Sequence, residues 1–302
     1  HPEVTLPELI QGQDARVISI PGEHLADPRR FRKLVRCLKD LKPELIHTHL
    51  TYANILGTWA GKWSGIPVLA TLHNEDYGAS DHRVRRHLET LTLRWAADRI
   101  ITIGHAVQNA QKSRFPHHDL PVIPNALTPL PCCTARERKK IRRELLGKKQ
   151  GPVLISVGQL IVQKGYPDLF RAVTMIKEHY PGLLVLIIGE GKLRPHLEQE
   201  LLKQDLTGTV RLMGRRNDVP SLLGAGDLYV NSSLWEGLPL SVLEAMSAGL
   251  PVVATCVGDV PHLIPPKAGL LVPPGNPERL GKAILFLLSD PDSLPIKGRK
   301  AE

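Results

Sequence analysis

Aromatic residues make up only 4% of the 302-residue chain, and there are just 4 cysteines and 3 methionines. Leu, Val, Ile and Ala must therefore fill the core. Nucleic-acid binding is disfavoured, because neither an interleaved aromatic platform nor a recognisable reading helix accompanies the basic residues. The four cysteines, two of them adjacent at Cys132 and Cys133, cannot form a disulfide scaffold and lack the spacing of a zinc site. A reducing compartment is expected. No run approaches the roughly 20 apolar residues that a membrane span needs, and His1-Pro2-Glu3 does not read as the basic and then apolar opening of a signal peptide. What is present is a 42% apolar fraction, too high for a disordered chain and sufficient for a core spread over one or two domains.

Basic residues are in excess in one half only. Residues 1–150 contain 24 Lys+Arg against 15 Asp+Glu, and the remainder contains 15 of each, so the formal charge of +9 belongs to the first half. It is concentrated in Arg29, Arg30, Arg32, Lys33, Arg36, Lys39 and Lys42, in Arg83, Arg85 and Arg86, and in the run from Arg136 to Lys149. Such a face suits anionic lipid or a polyanionic acceptor, and equally an ordinary solvated surface.

Hydrophobic periodicity alternates along the chain. Phe31, Leu34, Val35 and Leu38 fall on one helical face, followed by a short apolar strand at 45–47. Tyr52 to Trp63 reads as helix, Pro67 to Thr71 as strand, Arg83 to Ala97 as helix with Leu88, Leu91 and Trp95 inward, and Arg99 to Ile103 as strand. An earlier apolar stretch, Arg16 to Ile20, reads as the first strand. Short strands, apolar on both faces and separated by helices, favour a parallel sheet. A second series follows, with strands at 153–157, 183–188, 209–212, 228–231 and 251–255 and helices at 167–178, 194–203, 219–225 and 239–248.

The expected fold is α/β, with two Rossmann-like domains facing a cleft. Residues 1–127 form the first domain, 128–150 a basic linker rich in proline at its start, 151–290 the second domain and 291–302 a polar tail. Ligands of such sheets sit beyond the carboxyl ends of the strands, at glycine turns and helix N-termini.

Three strand–turn–helix segments carry candidate chemistry. The first runs from Ser232 through Glu236-Gly237-Leu238-Pro239-Leu240-Ser241 to Glu244-Ala245-Met246, with Glu236 in the turn and Glu244 inside the helix. A carboxylate there can accept from sugar or ribose hydroxyls, or merely cap the helix. The second, Gly158-Gln159 through Lys164-Gly165, offers close backbone approach and a point charge for phosphate, without the spacing of a P-loop. The third, Gly189-Glu190-Gly191-Lys192, can line a base or a phosphate, or be only a tight turn. In the first half, His47-Thr48-His49 and Thr71-Leu72-His73 end predicted strands. No further ligands stand at metal spacing, so hydrogen bonding to a hydroxyl or phosphate is the favoured use and no metal is expected.

With Val122-Ile123-Pro124-Asn125-Ala126 and Gly249-Leu250-Pro251-Val252-Val253-Ala254-Thr255, and on to Gly269 to Pro274, these motifs make residues 40 to 288 resemble the retaining glycosyltransferases of the GT-B fold, family 4 or "glycosyl transferases group 1". The resemblance implies a nucleotide-diphosphate sugar as donor substrate, no other cofactor, and a lipid-linked or polysaccharide acceptor. It implies that Glu236 contacts the transferred sugar, Glu244 the ribose hydroxyls and Lys164 the diphosphate. Gly158, Gln159, Gly189, Gly191 and Lys192 would border the nucleotide. The backbone of the turn through Gly237, Leu238, Pro239, Leu240 and Ser241 would face the diphosphate with its N–H groups. His73 matches the family's cleft histidine near the donor sugar. A cytoplasmic protein, peripheral on the inner face of a membrane, is expected.

The chain departs from the family pattern at several points. Gln159 replaces an arginine beside the diphosphate turn, and losing one charge-stabilising donor of this kind costs about 10²–10³ in rate in comparable oxyanion sites. Asp259 and His262 stand where the family often has Gly and Glu, and Ala126 where Gly is commoner. The family's first strand and glycine-rich loop precede the region matched here, and its terminal helix has no counterpart after Asp290, so an incomplete first domain is expected. A non-catalytic nucleotide-binding relative is therefore an alternative, and a UDP-sugar epimerase of the same fold a weaker one.

Overall fold

A computed structural model describes residues 16–21, 27–73, 83–128, 130, 133–147 and 150–290. The opening residues 1–15 and the expected tail 291–302 lie outside these. The chain divides into two compact units, residues 1–102 with 112–121, and residues 103–111 with 122–302.

The first unit holds α1 (Pro28–Leu41), β1 (Ile46–His49), α2 (Leu50–Ser64), β2 (Val68–Leu72), α3 (Arg83–Ala96) and β3 (Arg99–Thr102). Asp27 caps α1 by accepting from the Arg29 N–H, and Pro28 opens it. The three strands pair in parallel in the order β1-β2-β3. Residues 16–20, read as the first strand, carry none: among the described residues no strand pairs with them to satisfy an extended backbone.

A second expectation fails on α3. Leu88, Leu91 and Trp95 face outward, and the buried side is Glu89, Thr92, Leu93 and Ala96. A polar network fixes the inward face. Glu89 is fully buried and pairs with Arg114 at 3.1 Å. Its other oxygen accepts from the Asn54 amide at 2.9 Å, and the Asn54 carbonyl accepts from Thr48. Turning the leucines inward would leave that charge pair without its hydrogen bonds.

The second unit contains α4 (His105–Gln111), α5 (Ala135–Leu146), β4 (Val153–Val157), a 3₁₀ turn (Val162–Lys164), α6 (Tyr166–Ile176), β5 (Leu184–Ile188), α7 (Arg194–Lys203), β6 (Val210–Gly214), α8 (Val219–Ala225), β7 (Leu228–Asn231), α9 (Leu240–Ser247), β8 (Val252–Thr255), α10 (Val260–Leu263), β9 (Gly269–Val272) and α11 (Pro277–Leu288). Six parallel strands run in the order β6-β5-β4-β7-β8-β9. Alternate residues enter opposite cores: Leu154, Val185 and Val230 meet α6, α7 and α11, whereas Val153, Leu184 and Tyr229 meet α5, α8 and α9. Burial on both faces is why these strands read as continuous apolar runs.

The stretch 128–150, expected as a linker, includes α5, which carries the buried Leu145. Thr134 and Glu137 form a capping box at its start. Two of its arginines are structural: Arg138 and Arg142 each meet Asp227 at 2.6 Å, and Asp227 also accepts from the Val153 N–H. Part of the apparent basic run is thus consumed in anchoring the helix beneath β4 and β7.

Candidate active site

Strand order locates the site before any side chain does. Numbered within the second unit, the sheet runs third-second-first-fourth-fifth-sixth, so its order reverses between β4 and β7. Chains leaving the carboxyl ends of those two strands diverge to opposite sides and open a crevice there. Gly158 and Gln159 follow β4, and Ser232 to Glu236 follow β7.

The two loops are tied together. The Leu234 N–H donates to the Gln163 carbonyl at 2.7 Å, and the Ser232 hydroxyl to the Lys164 carbonyl at 2.8 Å. Gly165 turns the chain into α6 at φ 59°, and a Cβ there would lie 2.1 Å from the Ser232 oxygen. Only glycine permits both the left-handed turn and that approach. On the other side, Gly158 and Leu160 donate to the Ile188 and Glu190 carbonyls, which joins the Gly158-Gln159 turn to Gly189-Glu190-Gly191. Gly189, at φ 146°, leaves only 2.0 Å between a would-be Cβ and the Gly158 oxygen.

Lys164 and Glu236 meet directly, Nζ to Oε1 at 2.5 Å, with both side chains largely buried. Glu236 also accepts from the Ser233 hydroxyl at 2.6 Å and from the Gln163 amide at 3.2 Å. Motif spacing does not single out Ser233 or Gln163; the available signal is adjacency, three residues before Glu236 and one before Lys164. Glu244 lies in α9 with its acidity lowered by burial, and among the described residues its carboxylate has no hydrogen-bond partner. No side chain caps α9, so the first-turn N–H groups at Leu240 and Ser241 stay open to an anion. Leu238 is buried beneath that turn, Gln159 is exposed, and Lys192 is exposed without a described partner.

Asp259 has a structural use. It is buried, both carboxylate oxygens accept from the Ala106 N–H at 3.1–3.2 Å, and its own N–H donates to the Gly237 carbonyl. Gly104 makes room: a Cβ there would come within 1.8 Å of Asp259 Oδ2. His262 lies edge-on to His105, with ring centroids 6.0 Å apart.

His73 belongs to the first unit, where it bonds His49 of the His47-Thr48-His49 motif, and the His47 ring centroid lies 4.1 Å from that of His49. His49 Nδ1 and His73 Nε2 are 2.9 Å apart, and His47 Nε2 lies 2.7 Å from Thr71 Oγ1. One proton serves the His49–His73 bond, so one ring donates and the other accepts. Burial, and then the neighbouring His49 and His47, push the His73 pKa down; burial and His47 do the same to His49. Among the described residues, no group of three or more His, Cys, Asp or Glu has the arrangement to hold a metal ion.

A six-stranded doubly wound sheet with a lysine, two glutamates and an uncapped helix at its switch point defines a Rossmann-like α/β protein. The family "Glycosyl transferases group 1" matches residues 137–301, and "Glycosyltransferase Family 4" matches residues 3–129. The chain belongs to the glycosyl transferases group 1 family. It is 30% identical over 245 residues to the UDP-Gal:alpha-D-GlcNAc-diphosphoundecaprenol alpha-1,3-galactosyltransferase of Escherichia coli, covering 76% of this chain and 62% of that protein. To the sulfoquinovosyl transferase of Arabidopsis thaliana it is 33% identical over 159 residues, 51% of this chain and 30% of that one. The chain spans less than two thirds of the length of these curated relatives. Among solved structures, Anabaena HepE in complex with UDP-glucose matches with a TM-score of 0.86 at 21% identity, over 97% of this chain and 82% of that one. Sucrose-phosphate synthase of Thermosynechococcus elongatus matches at 0.79 and 24%, over 96% and 76%. Both likenesses bear out the GT-B class expected from the sequence, with two Rossmann-like α/β units.

Proposed function

We propose that the protein acts in a retaining glycosyltransferase that moves a sugar from a nucleotide-diphosphate sugar to a hydroxyl of a glycolipid or polysaccharide precursor. The observation that carries this reading is the meeting of Lys164 and Glu236 at the switch point, one turn of chain from the uncapped start of α9. The donor diphosphate takes the place of Glu236 as the partner of Lys164 and lies against the α9 N–H groups. Glu236, still held by Ser233 and Gln163, is then free to accept from a hydroxyl of the sugar. Glu244 accepts from the ribose diol, and the turns at Gly158-Gln159 and Gly189 to Lys192 border the nucleotide.

Transfer breaks the bond between the anomeric carbon and the departing phosphate oxygen and forms one to the acceptor oxygen on the same face. The acceptor proton passes to the phosphate. Lys164 and the helix N-terminus stabilise the charge that develops there, and positioning does the rest. His73 is assigned to the donor sugar on the family pattern, as a neutral ring at pH 7. The named activity of the Escherichia coli relative, and the ligand in the HepE complex, make uridine the first base to test. No helix among the described residues is long and apolar enough to cross a membrane; placement at the cytoplasmic face is part of the proposal.

Gln159 supports a second reading, a relative that binds nucleotide without transferring sugar. Labelled sugar from UDP-glucose, UDP-galactose and GDP-mannose, offered with bacterial lipid extracts, separates the two. Product formation abolished by Glu244→Ala supports transfer. Nucleotide binding without product from any donor supports the second reading.

A further inference from the structure

The outward face of α3 is an unbroken apolar stripe. Val84, Leu88, Leu91 and Trp95 recur at intervals of four, three and four residues, and Val84 and Trp95 are 72% and 76% exposed. The adjoining helix α2 adds Trp59 and Trp63, the latter 73% exposed. Two contacts hold the two helices side by side: Trp59 Nε1 donates to Thr92 Oγ1 at 3.0 Å, and the Arg85 guanidinium lies 5.3 Å from the centre of the Tyr52 ring. Three of the four tryptophans of an aromatic-poor chain thus stand exposed on one pair of helices. A contiguous apolar surface of this kind marks an interaction site.

Charge narrows the partner. Along α2 and α3 the cations are Lys62, Arg83, Arg85, Arg86 and Arg94, and the one carboxylate is Glu89, which is fully buried against Arg114. A second copy of the same face would bring like charges together. Tryptophans and leucines rimmed by arginine and lysine, with no exposed acid along these two helices, complement the headgroup boundary of an anionic bilayer: rings sit at that depth and long cationic side chains reach lipid phosphates.

We infer that the α2–α3 face docks on an anionic membrane surface, with Trp63, Leu88, Leu91 and Trp95 entering the headgroup layer and Lys62, Arg83 and Arg85 meeting lipid phosphates. This rests on the membrane-side acceptor proposed above for its purpose, but docking is measured without donor or acceptor, so its outcome is independent of nucleotide binding.

The test is flotation of the full chain with vesicles of phosphatidylcholine alone and of phosphatidylcholine with phosphatidylglycerol, at about 0.1 M and about 0.5 M salt. The protein floats with the anionic vesicles at low salt, and its tryptophan emission shifts to the blue. Trp63→Ser/Trp95→Ser and Arg83→Glu/Arg85→Glu each reduce vesicle partitioning at least about tenfold. Because these side chains are exposed, thermal melts should match wild type; if the tryptophan variant melts early, the arginine variant decides. Absence of wild-type flotation, or equal flotation by a folded variant, overturns the inference. Self-association without vesicle binding, lost in the tryptophan variant, assigns the face to a second copy instead.

Discussion

Glu244 is held in a half-buried position without a partner among the described residues, and two measurements should reveal the consequence. Its folded pKa is raised by desolvation, so the folded state holds the proton more tightly than the unfolded chain. The resulting penalty grows as pH rises through the ordinary glutamate range and is fully present at pH 7 to 8. Glu244→Gln should therefore raise the melting midpoint at pH 8, have little effect at pH 4, and weaken nucleotide binding at least about tenfold through the lost ribose contact. Lys164 and Glu236, by contrast, hold each other as a pair. Lys164→Met leaves Glu236 buried with only Ser233 and Gln163 to solvate it, at a cost of roughly 2–4 kcal/mol. Lys164→Met combined with Glu236→Leu should cost less than the sum of the single changes, as a double-mutant cycle by denaturant unfolding would measure. The histidine cluster carries the pH dependence of the first unit. His49 and His73 take up protons less readily folded than unfolded, so the stability they contribute is fully present above pH 6.5 and is lost as pH falls below that value through their lowered folded pKa values. His49→Gln/His73→Gln should flatten the decline of the first unit's melting midpoint between pH 7.5 and pH 5.

At the scale of elements, backbone geometry places the chemistry. Gly165 carries Lys164 into position through a left-handed turn against the Ser232 carbonyl. Gly165→Ala should cost about 2–4 kcal/mol and weaken nucleotide binding together with stability, measured by thermal melts and calorimetry. Asp259→Gly, which restores the commoner family residue, removes an acceptor from the part-buried Ala106 N–H and should cost about 1–2 kcal/mol. Helices and strands were legible where the apolar period matches the covered face: Phe31 to Leu38, whose apolar side chains are half-buried, and the buried runs at 153–157 and 184–188. They were misleading on α3. Its apolar stripe has the spacing of a core face, yet the inward face is set by Glu89, whose partner Arg114 lies 25 residues away and is invisible to any local pattern. The strand read at 16–20 failed for a related reason, since a short apolar run says nothing about whether a partner strand is present.

For the whole chain, the second unit's doubly wound sheet was readable as a series of alternating elements, but its strand order was not, because order is a property of tertiary pairing. That order turns a set of glycine turns into one site. Glu236, Glu244, Lys164 and the glycines were named from motif spacing; Ser233, Gln163 and the His49–His73 bond emerged only from side chains that meet in space. The two units differ in resources: three short strands and a polar network in one, six strands between two apolar cores in the other. Nucleotide at about 100 times its dissociation constant stabilises its binding unit by about 2.7 kcal/mol, which should raise the second unit's melting midpoint by about 5–10 °C and leave the first unit's histidine-dependent transition in place. The central claim, that the β4–β7 switch point is a nucleotide-diphosphate site, is tested most directly by calorimetric titration of UDP, GDP and ADP into wild type, Lys164→Met and Glu244→Gln. Saturable binding of one nucleotide, weakened at least about tenfold by each substitution, is the expected result; binding to none by folded protein, or binding indifferent to both substitutions, would contradict it.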